Sequence, residues 1–513
     1  MKAMRTASTV PTINSMRTAS SMRHLRRIRT PVRLALATLA LSACVLPPRE
    51  AAHPRPLEID AVGLTGAAVA PASGDWWSAF ADPQLDRLIR AGRERSPTLA
   101  AAEARVGDAL AQAQAAHAGL LPHANLDVSA QYQRAPANYF IPPPLAGHSY
   151  SEGQGGASLG WDLDLWGRQA AAVQRAKALA DSAQWDREQA ALLLTGAITQ
   201  TYIELYRQHA LADIAERSEA QRQDIVDITR RRVASGLDTQ LELREAEGQL
   251  PRARVARAQA LAAAEQAVHE LTTLTGQGAQ AYATIVRPTL NVAAALPVPA
   301  ELPINLLARR PDVLSARLDV EAADASRRAA KAAFYPSVNL QALAGIGAFG
   351  LHDLLQWNAR GYSAGPAISL PLFDGGRLRA QYHGSEAALD TAVDGYNDTV
   401  LRAVQQTADQ ITRLSALERE RLDQQQTLDA TEAAYRLAEE RYRAGLANYL
   451  TVLNAETQVL TARETMLDII TSQATARVTL LLAVGGSFDP RSDGLSVALN
   501  PDDSPRMLTQ VSP

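Results

Sequence analysis

Apolar and polar residues alternate along two pairs of short segments and recur every three or four residues along the stretches between them. In the first pair, Leu126, Val128, Ala130 and Tyr132 fall on one face, with Asn125, Asp127, Ser129, Gln131 and Gln133 on the other. Leu159, Trp161, Leu163 and Leu165 then oppose Gly160, Asp162 and Asp164. The second pair sets Val338, Leu340, Ala342, Ala344 and Ile346 against Asn339 and Gln341, followed by Tyr362, Ala364, Ile368 and Leu370. A period of two predicts strands. Strands of about ten residues, apolar outward and polar inward, are the pattern of a membrane β-barrel, although a sheet lying on a soluble core alternates in the same way. The joining segments, Arg134 to Gly155 with Pro142, Pro143 and Pro144, and Gly347 to Gly361, read as long loops.

The remaining pattern is helical. No proline interrupts Gln169 to Ser235, and Ile198, Tyr202 and Leu205 keep helical spacing; at 1.5 Å per residue this helix spans roughly 100 Å. Leu389, Val393, Tyr396, Val400, Val404, Ile411, Leu414 and Leu417 repeat at threes and fours, the spacing of a coiled coil. A return helix after Gly236 reaches about Thr275, roughly 55 to 60 Å. Another starts at Pro97, an N1 position that proline tolerates, and stops before Pro122, adding about 35 Å.

A displacement of roughly 210 residues brings the chain into register with itself, the mark of an internal duplication. Leu120-Leu121-Pro122 matches Phe334-Tyr335-Pro336, and Leu163 to Arg168 matches Leu370 to Arg377. Further on, Gly236, Leu237, Leu241, Ala246, Glu247 and Gln249 match Gly445, Leu446, Leu450, Ala455, Glu456 and Gln458. The boundaries that follow are a leader over 1–43, an N-terminal segment over 44–96, a first repeat over 97–276, a linker over 277–303, a second repeat over 304–485 and a tail over 486–513.

The leader carries Arg23, Arg26, Arg27, Arg29 and Arg33 before the apolar run Leu34 to Leu41, as secretory signals do. Leu41-Ser42-Ala43-Cys44 resembles a bacterial lipobox, and Cys44 is the only cysteine of the chain. No later run approaches the 18 or so apolar residues of a spanning helix, so any membrane crossing must use strands. Four strands cannot close a barrel, and an open edge in lipid leaves backbone groups unpaired; several chains must then share one barrel. The charge of -3 points neither to nucleic acid nor to a disordered acidic tail, and the 5% aromatic content beside recurring Ala, Leu, Gln, Arg and Glu is the composition of long, closely packed helices. The nine histidines show no paired-ligand spacing, and no nucleophile-and-base constellation stands out. Asp162 and Asp164 read as polar-face residues rather than an acid pair.

Leu306 to Val313, followed by Ala332 to Val338, is similar to the "LLxRRPD … AAFFPS" run of the outer-membrane factor family, which includes TolC and OprM. Trp76-Trp77-Ser78-Ala79-Phe80 with Asp82-Pro83-Gln84-Leu85 is similar to the family's "WWxxFxDPxL", and Arg441-Tyr442-Arg443-Ala444-Gly445 to its "RYxxG". The chain most resembles the lipoprotein branch of that family. The resemblance implies an α plus membrane β-barrel fold: three chains, four strands each, forming a twelve-stranded barrel continuous with a long periplasmic α-helical barrel. It implies a passive exit duct of a tripartite efflux system rather than an enzyme, with a periplasmic adaptor and an inner-membrane pump as partners. Its only attached group would be the lipid on Cys44, a diacylglycerol plus an N-acyl chain, with no metal. A type I protein-secretion duct and a pore-less periplasmic scaffold lipoprotein stay as alternatives.

The functional part would be the periplasmic mouth, where the hairpins turn at Gly236 and Gly445. Family members carry acids just beyond the second turn, at positions that here hold Thr451 and Asn454. The duplicate positions in the first hairpin are Glu242 and Glu245, three apart on one helix face. Threefold symmetry would turn them into acidic rings that favour cations; a solvated outer helix face is the other reading.

Overall fold

The alternating segments build a four-stranded antiparallel sheet in the chain order β1 (His123–Arg134), β2 (Ser149–Leu163), β3 (Ser337–Phe349) and β4 (Arg360–Ser369). This computed structural model describes residues 52–58, 75–138, 142–292 and 309–486. Cys44, the leader, residues 293–303 of the linker, Leu306 to Ala308 of the family motif and all of the tail past Gly486 lie outside the described residues. The chain divides into two compact units, and each draws on both halves of the duplication. One holds the strands, with residues 122–166 and 330–384; the other holds 51–121, 167–329 and the chain from 385 onward.

In the sheet unit the register gathers the alternating apolar positions of all four strands on one face, with Leu343 and Phe349 of β3 on the other. Leu126 faces Ala157, which faces Ala344, which faces Tyr362. One row further, Leu159 lies opposite Ala342, and Trp161 opposite Leu340, which pairs with Pro366. Asn125, Asp127, Gln131 and Gln133 share the other face with Glu152, Gln154, Asp162, Asn339 and Gln341. Leu126 and Val128 are 74% and 73% exposed and Tyr362 91%, so most of the apolar face is uncovered among the described residues, with Leu351 and Leu354 lying over it at Gly153. The outer edges of β1 and β4 are likewise unpaired among the described residues. Pro366 is tolerated there because an edge strand has one side without ladder bonds.

The strands run further into the loops than alternation suggests. β2 begins at Ser149 and takes in Gly153, Gly155 and Gly156, and β3 continues through Gly347 to Phe349. The loops therefore shrink to 135–148 and 350–359. The close approach is at Gly345, across from Gly155 and Gly156: a Cβ there would fall 2.6 Å from the Gly155 carbonyl oxygen and 2.9 Å from the Gly156 Cα. At the other end the strands stop short. Asp164 and Leu165 lie past β2, where the Leu165 N–H turns back to the Leu163 carbonyl at 2.8 Å, and Leu370 lies past β4 before Pro371, which cannot donate to a ladder. Beneath the strands, Trp166 stacks on Tyr335 with centroids 4.9 Å apart and donates from Nε1 to the Pro336 carbonyl at 2.8 Å.

The helical unit is built from α1 (Pro83–Arg95), α2 (Pro97–Ala118), α3 (Arg168–Ala234), α4 (Gln240–Leu274), α5 (Pro311–Ala332), α6 (Arg377–Arg443) and α7 (Tyr449–Ala483). α3 and α6 have 67 residues each, and α4 and α7 have 35 each. α1, α2, α4 and α7 all pack on α3.

Two of the family-like motifs are packing devices. Asp82 caps α1 by accepting the Gln84 N–H, and it also accepts the Tyr202 hydroxyl at 2.7 Å and the Thr289 N–H at 2.8 Å. Burial opposes its charge, but the hydrogen bonds from Tyr202, Thr289 and Gln84 outweigh that and hold its carboxyl below the usual range. Trp76, Trp77 and Phe80 fill the core beside it. In the second motif, the buried Arg310 donates to the Ala483 carbonyl at the end of α7 (2.7 Å), to Asp312 and to Gln406. A cation there satisfies a helix end that has no intrahelical donor left.

Candidate functional site

Both long hairpins turn by the same backbone device. Gly236 and Gly445 have φ of 72° and 76°, which side-chain-bearing residues rarely adopt. The N–H of Leu237 reaches the Arg232 carbonyl at 2.9 Å, and that of Leu446 the Arg441 carbonyl at 2.8 Å. Each glycine N–H bonds three residues back, to Val233 and Tyr442, completing a Schellman stop. A Cβ on Gly236 would meet nothing within 4 Å; conformation, and not space, demands the glycine.

The helices restart on side-chain caps. Thr239 caps α4 in a capping box, where the Glu242 carboxylate accepts the Thr239 N–H at 2.9 Å and also meets its hydroxyl. The Thr239 hydroxyl bond, followed by backbone N–H donors, holds Glu242 below its ordinary value. Glu242 thus has a local structural task, legible in the sequence Thr-x-x-Glu. Glu245, one turn on, is exposed. In the second hairpin Asn448 caps α7, accepting the Thr451 N–H at 3.0 Å and its hydroxyl at 2.7 Å. Thr451 and Asn454 are both exposed.

What ties the two turns together is a set of residues of which only Tyr442, in the RYxxG-like run, stands out in the sequence. Arg232 forks onto Asp238, Nε to Oδ2 at 2.8 Å and Nη2 to Oδ1 at 3.1 Å, with side chains 12% and 8% exposed. Its guanidinium lies 4.6 Å from the Tyr442 ring centroid and donates from Nη1 to the Tyr442 carbonyl at 3.1 Å. Tyr442, fully buried, donates its hydroxyl to Asp238 at 2.7 Å and accepts from Thr229 at 2.8 Å. Burial, ahead of the partly cancelling effects of its neighbours, pushes the Tyr442 phenol up to about 12. Burial also acts against the Asp238 charge, yet the bonds from Arg232 and Tyr442 win and lower its carboxyl.

Deeper in the hairpins Arg222 spans three helices. It donates to Glu456 of α7 at 2.8 Å and to the Gln249 carbonyl of α4 at 2.7 Å, with the Glu456 side chain 5% exposed. Between these two clamps the packing is apolar: Ile225, Val226, Leu243, Tyr435, Tyr449, Val452 and Val459. Outside it, Leu237, Leu241, Leu446 and Leu450 are 55% to 71% exposed, two equivalent pairs around the two turns. No group of three or more His, Cys, Asp or Glu side chains among the described residues is placed to hold a metal ion.

The chain that builds these two matched hairpins and the four-stranded sheet matches the family described as outer membrane efflux protein over residues 88–277 and 302–486. The chain belongs to that family. As an outer membrane efflux protein it is 31% identical to the multidrug resistance outer membrane protein MdtP of Escherichia coli, over 88% of this chain and 95% of that one. It is 36% identical to the fusaric acid resistance protein FusA of Burkholderia cepacia, over 69% and 70% of the two chains. Among solved structures, the outer membrane protein VceC of Vibrio cholerae superposes with a TM-score of 0.76 at 31% identity, covering 82% of this chain and all of that one. The fold is therefore that of the TolC-like channels, and the protein acts in efflux at the outer membrane, extending into the periplasm.

Proposed function

We propose that three copies of this chain form a passive, non-enzymatic exit duct, each contributing four strands to a twelve-stranded barrel. The observation that carries this reading is the sheet itself: an exposed apolar face in continuous register, with two unpaired edges, is stable in lipid only if neighbouring copies close it. Small toxic compounds, of the kind named for MdtP and FusA, are the cargo this reading favours. An inner-membrane pump supplies the energy, and a periplasmic adaptor docks at the hairpin turns, where the four leucines offer apolar contacts. Cys44 carries the lipid anchor.

In this reading the Arg232–Asp238–Tyr442 cluster and the Arg222–Glu456 pair hold the two hairpins of each chain together, and adaptor engagement works against them. Glu245, exposed one turn beyond the cap, supplies the acidic ring, with Glu242 contributing charge while it caps α4; Thr451 and Asn454 leave the second hairpin neutral. The test is conductance of purified protein in planar bilayers. Small cation-selective openings, shifted toward neutrality by Glu245→Gln and less by Glu242→Gln, are expected; trimers whose selectivity ignores both substitutions would remove the acidic ring. Folded protein that never forms trimers would remove the duct.

A further inference from the structure

The apolar face of the sheet carries charge at two positions among its described strand residues. β1 shows Ala124, Leu126, Val128, Ala130, Tyr132 and finally Arg134 on that face, and β4 shows Arg360 first, then Tyr362, Ala364, Pro366 and Ile368. The corresponding positions of β2 and β3 are uncharged. Both charges are arginines, both stand at the loop end of an edge strand, and each lies two residues beyond a tyrosine that is 76% or 91% exposed. Neither makes an ion pair among the described residues; Glu152, on the neighbouring strand, faces the other way and accepts from Gln131 and Gln133. The Arg360 guanidinium stacks 3.7 Å from the ring centroid of Trp357, itself 79% exposed.

In a tilted barrel the two arginines would come near one level. The hydrogen-bonded row from Arg360 runs through Ile346 and Gly155 to Val128, which lies six residues short of Arg134 on β1. Strands that end at one height in a tilted barrel are staggered in this sense. If the free edges of neighbouring copies pair, β4 of one lies about 4.8 Å from β1 of the next. Arg360 and the neighbouring copy's Arg134 then meet at the loop-side rim of the lipid-facing surface. Like charges brought together there destabilise the seam unless an anion lies between them.

From this we infer that each seam of the barrel binds the phosphorylated headgroup of an outer-leaflet glycolipid, with Arg134 and Arg360 of adjacent copies gripping the phosphate. Guanidinium forks suit phosphate oxygens, and Tyr132, Tyr362 and Trp357 are the amphipathic rings found where acyl chains give way to headgroups. The inference rests on the trimeric-barrel reading above. To separate the two, trimer formation is scored first by native electrophoresis and conductance, in the wild type and in Arg134→Gln/Arg360→Gln. Binding of diphosphoryl lipid A and of its dephosphorylated form is then measured by native mass spectrometry on trimers in phosphatidylcholine nanodiscs. The wild type is expected to prefer the diphosphoryl form by about tenfold, the double glutamine variant to lose that preference while still trimeric and conducting, and Arg134→Lys/Arg360→Lys to keep part of it. Conducting glutamine-variant trimers with undiminished preference, or wild-type trimers with none, overturn the lipid site. A wild type that forms no trimers overturns the barrel reading along with it.

Discussion

The first and second hairpins have the same backbone and different side-chain wiring. Their long helices are of equal length, as are their return helices, and both turn on a left-handed glycine within a Schellman stop. The charged partners differ. Arg232 of the first hairpin finds Asp238, whereas its duplicate Arg441 is exposed and stands six residues before Ala447. Glu456 of the second hairpin is buried on Arg222, whereas its duplicate Glu247 sits at the surface with Arg244 and Arg230. Duplication preserved the parts that make a hairpin; divergence supplied the parts that make two hairpins hold each other.

Breaking that asymmetry should have its largest effect at Arg232. Arg232→Ala leaves Asp238 without its cation, which for a buried pair costs about 3–5 kcal/mol. Arg441→Ala should stay within about 0.5 kcal/mol. Native-state amide exchange over residues 226–246 and 435–455 measures both, and equal effects would mean that the turns are not joined through this cluster. Next comes the Glu456 pair: Glu456→Ala should cost about 3 kcal/mol in the same experiment, and Glu247→Ala less than about 1.

Gly236→Ala and Gly445→Ala sharpen the common half of the comparison. Each should cost about 1–2 kcal/mol, and by similar amounts, because both sites share one φ requirement. The smallest effect within the ordinary pH range should be that of pH itself. The Asp238 carboxyl is lowered in the folded protein, so its contribution is complete above the unfolded value and disappears only as pH falls through the folded one. Exchange protection at the turns should therefore be flat from pH 8 to 5 and fall below about pH 4. A loss centred near neutrality would implicate another group.

Much of this was legible without coordinates. Alternation assigned the strand faces, and the register confirms them row by row from Leu126 to Tyr362. Helix spans came out within a few residues because long proline-free stretches leave few alternatives. Gly153 to Gly156 hid the start of β2, since glycine signals loops and close strand contacts alike. Pro251 sits inside α4 without ending it, because packing along α3 outweighs one lost hydrogen bond. The capping role of Glu242 was readable from Thr239 three residues earlier. The Arg232–Asp238–Tyr442 cluster was not: its members are 204 to 210 residues apart across the hairpins, and an arginine six places from an aspartate looks like any surface pair.

The matched helix lengths restrict how this protein can change in size. Deleting one residue from α3 would withdraw its turn by about 1.5 Å and rotate everything beyond the deletion by about 100°. Arg232 would then be carried away from Tyr442 on a second hairpin that had not moved. Insertions and deletions are thus tolerable only in compensating sets, in both hairpins and on both arms of each, while single-residue replacements at exposed positions remain free. Among relatives of this chain, tip sequences should drift readily, but the number of residues between sheet and turn should change in both repeats together or not at all.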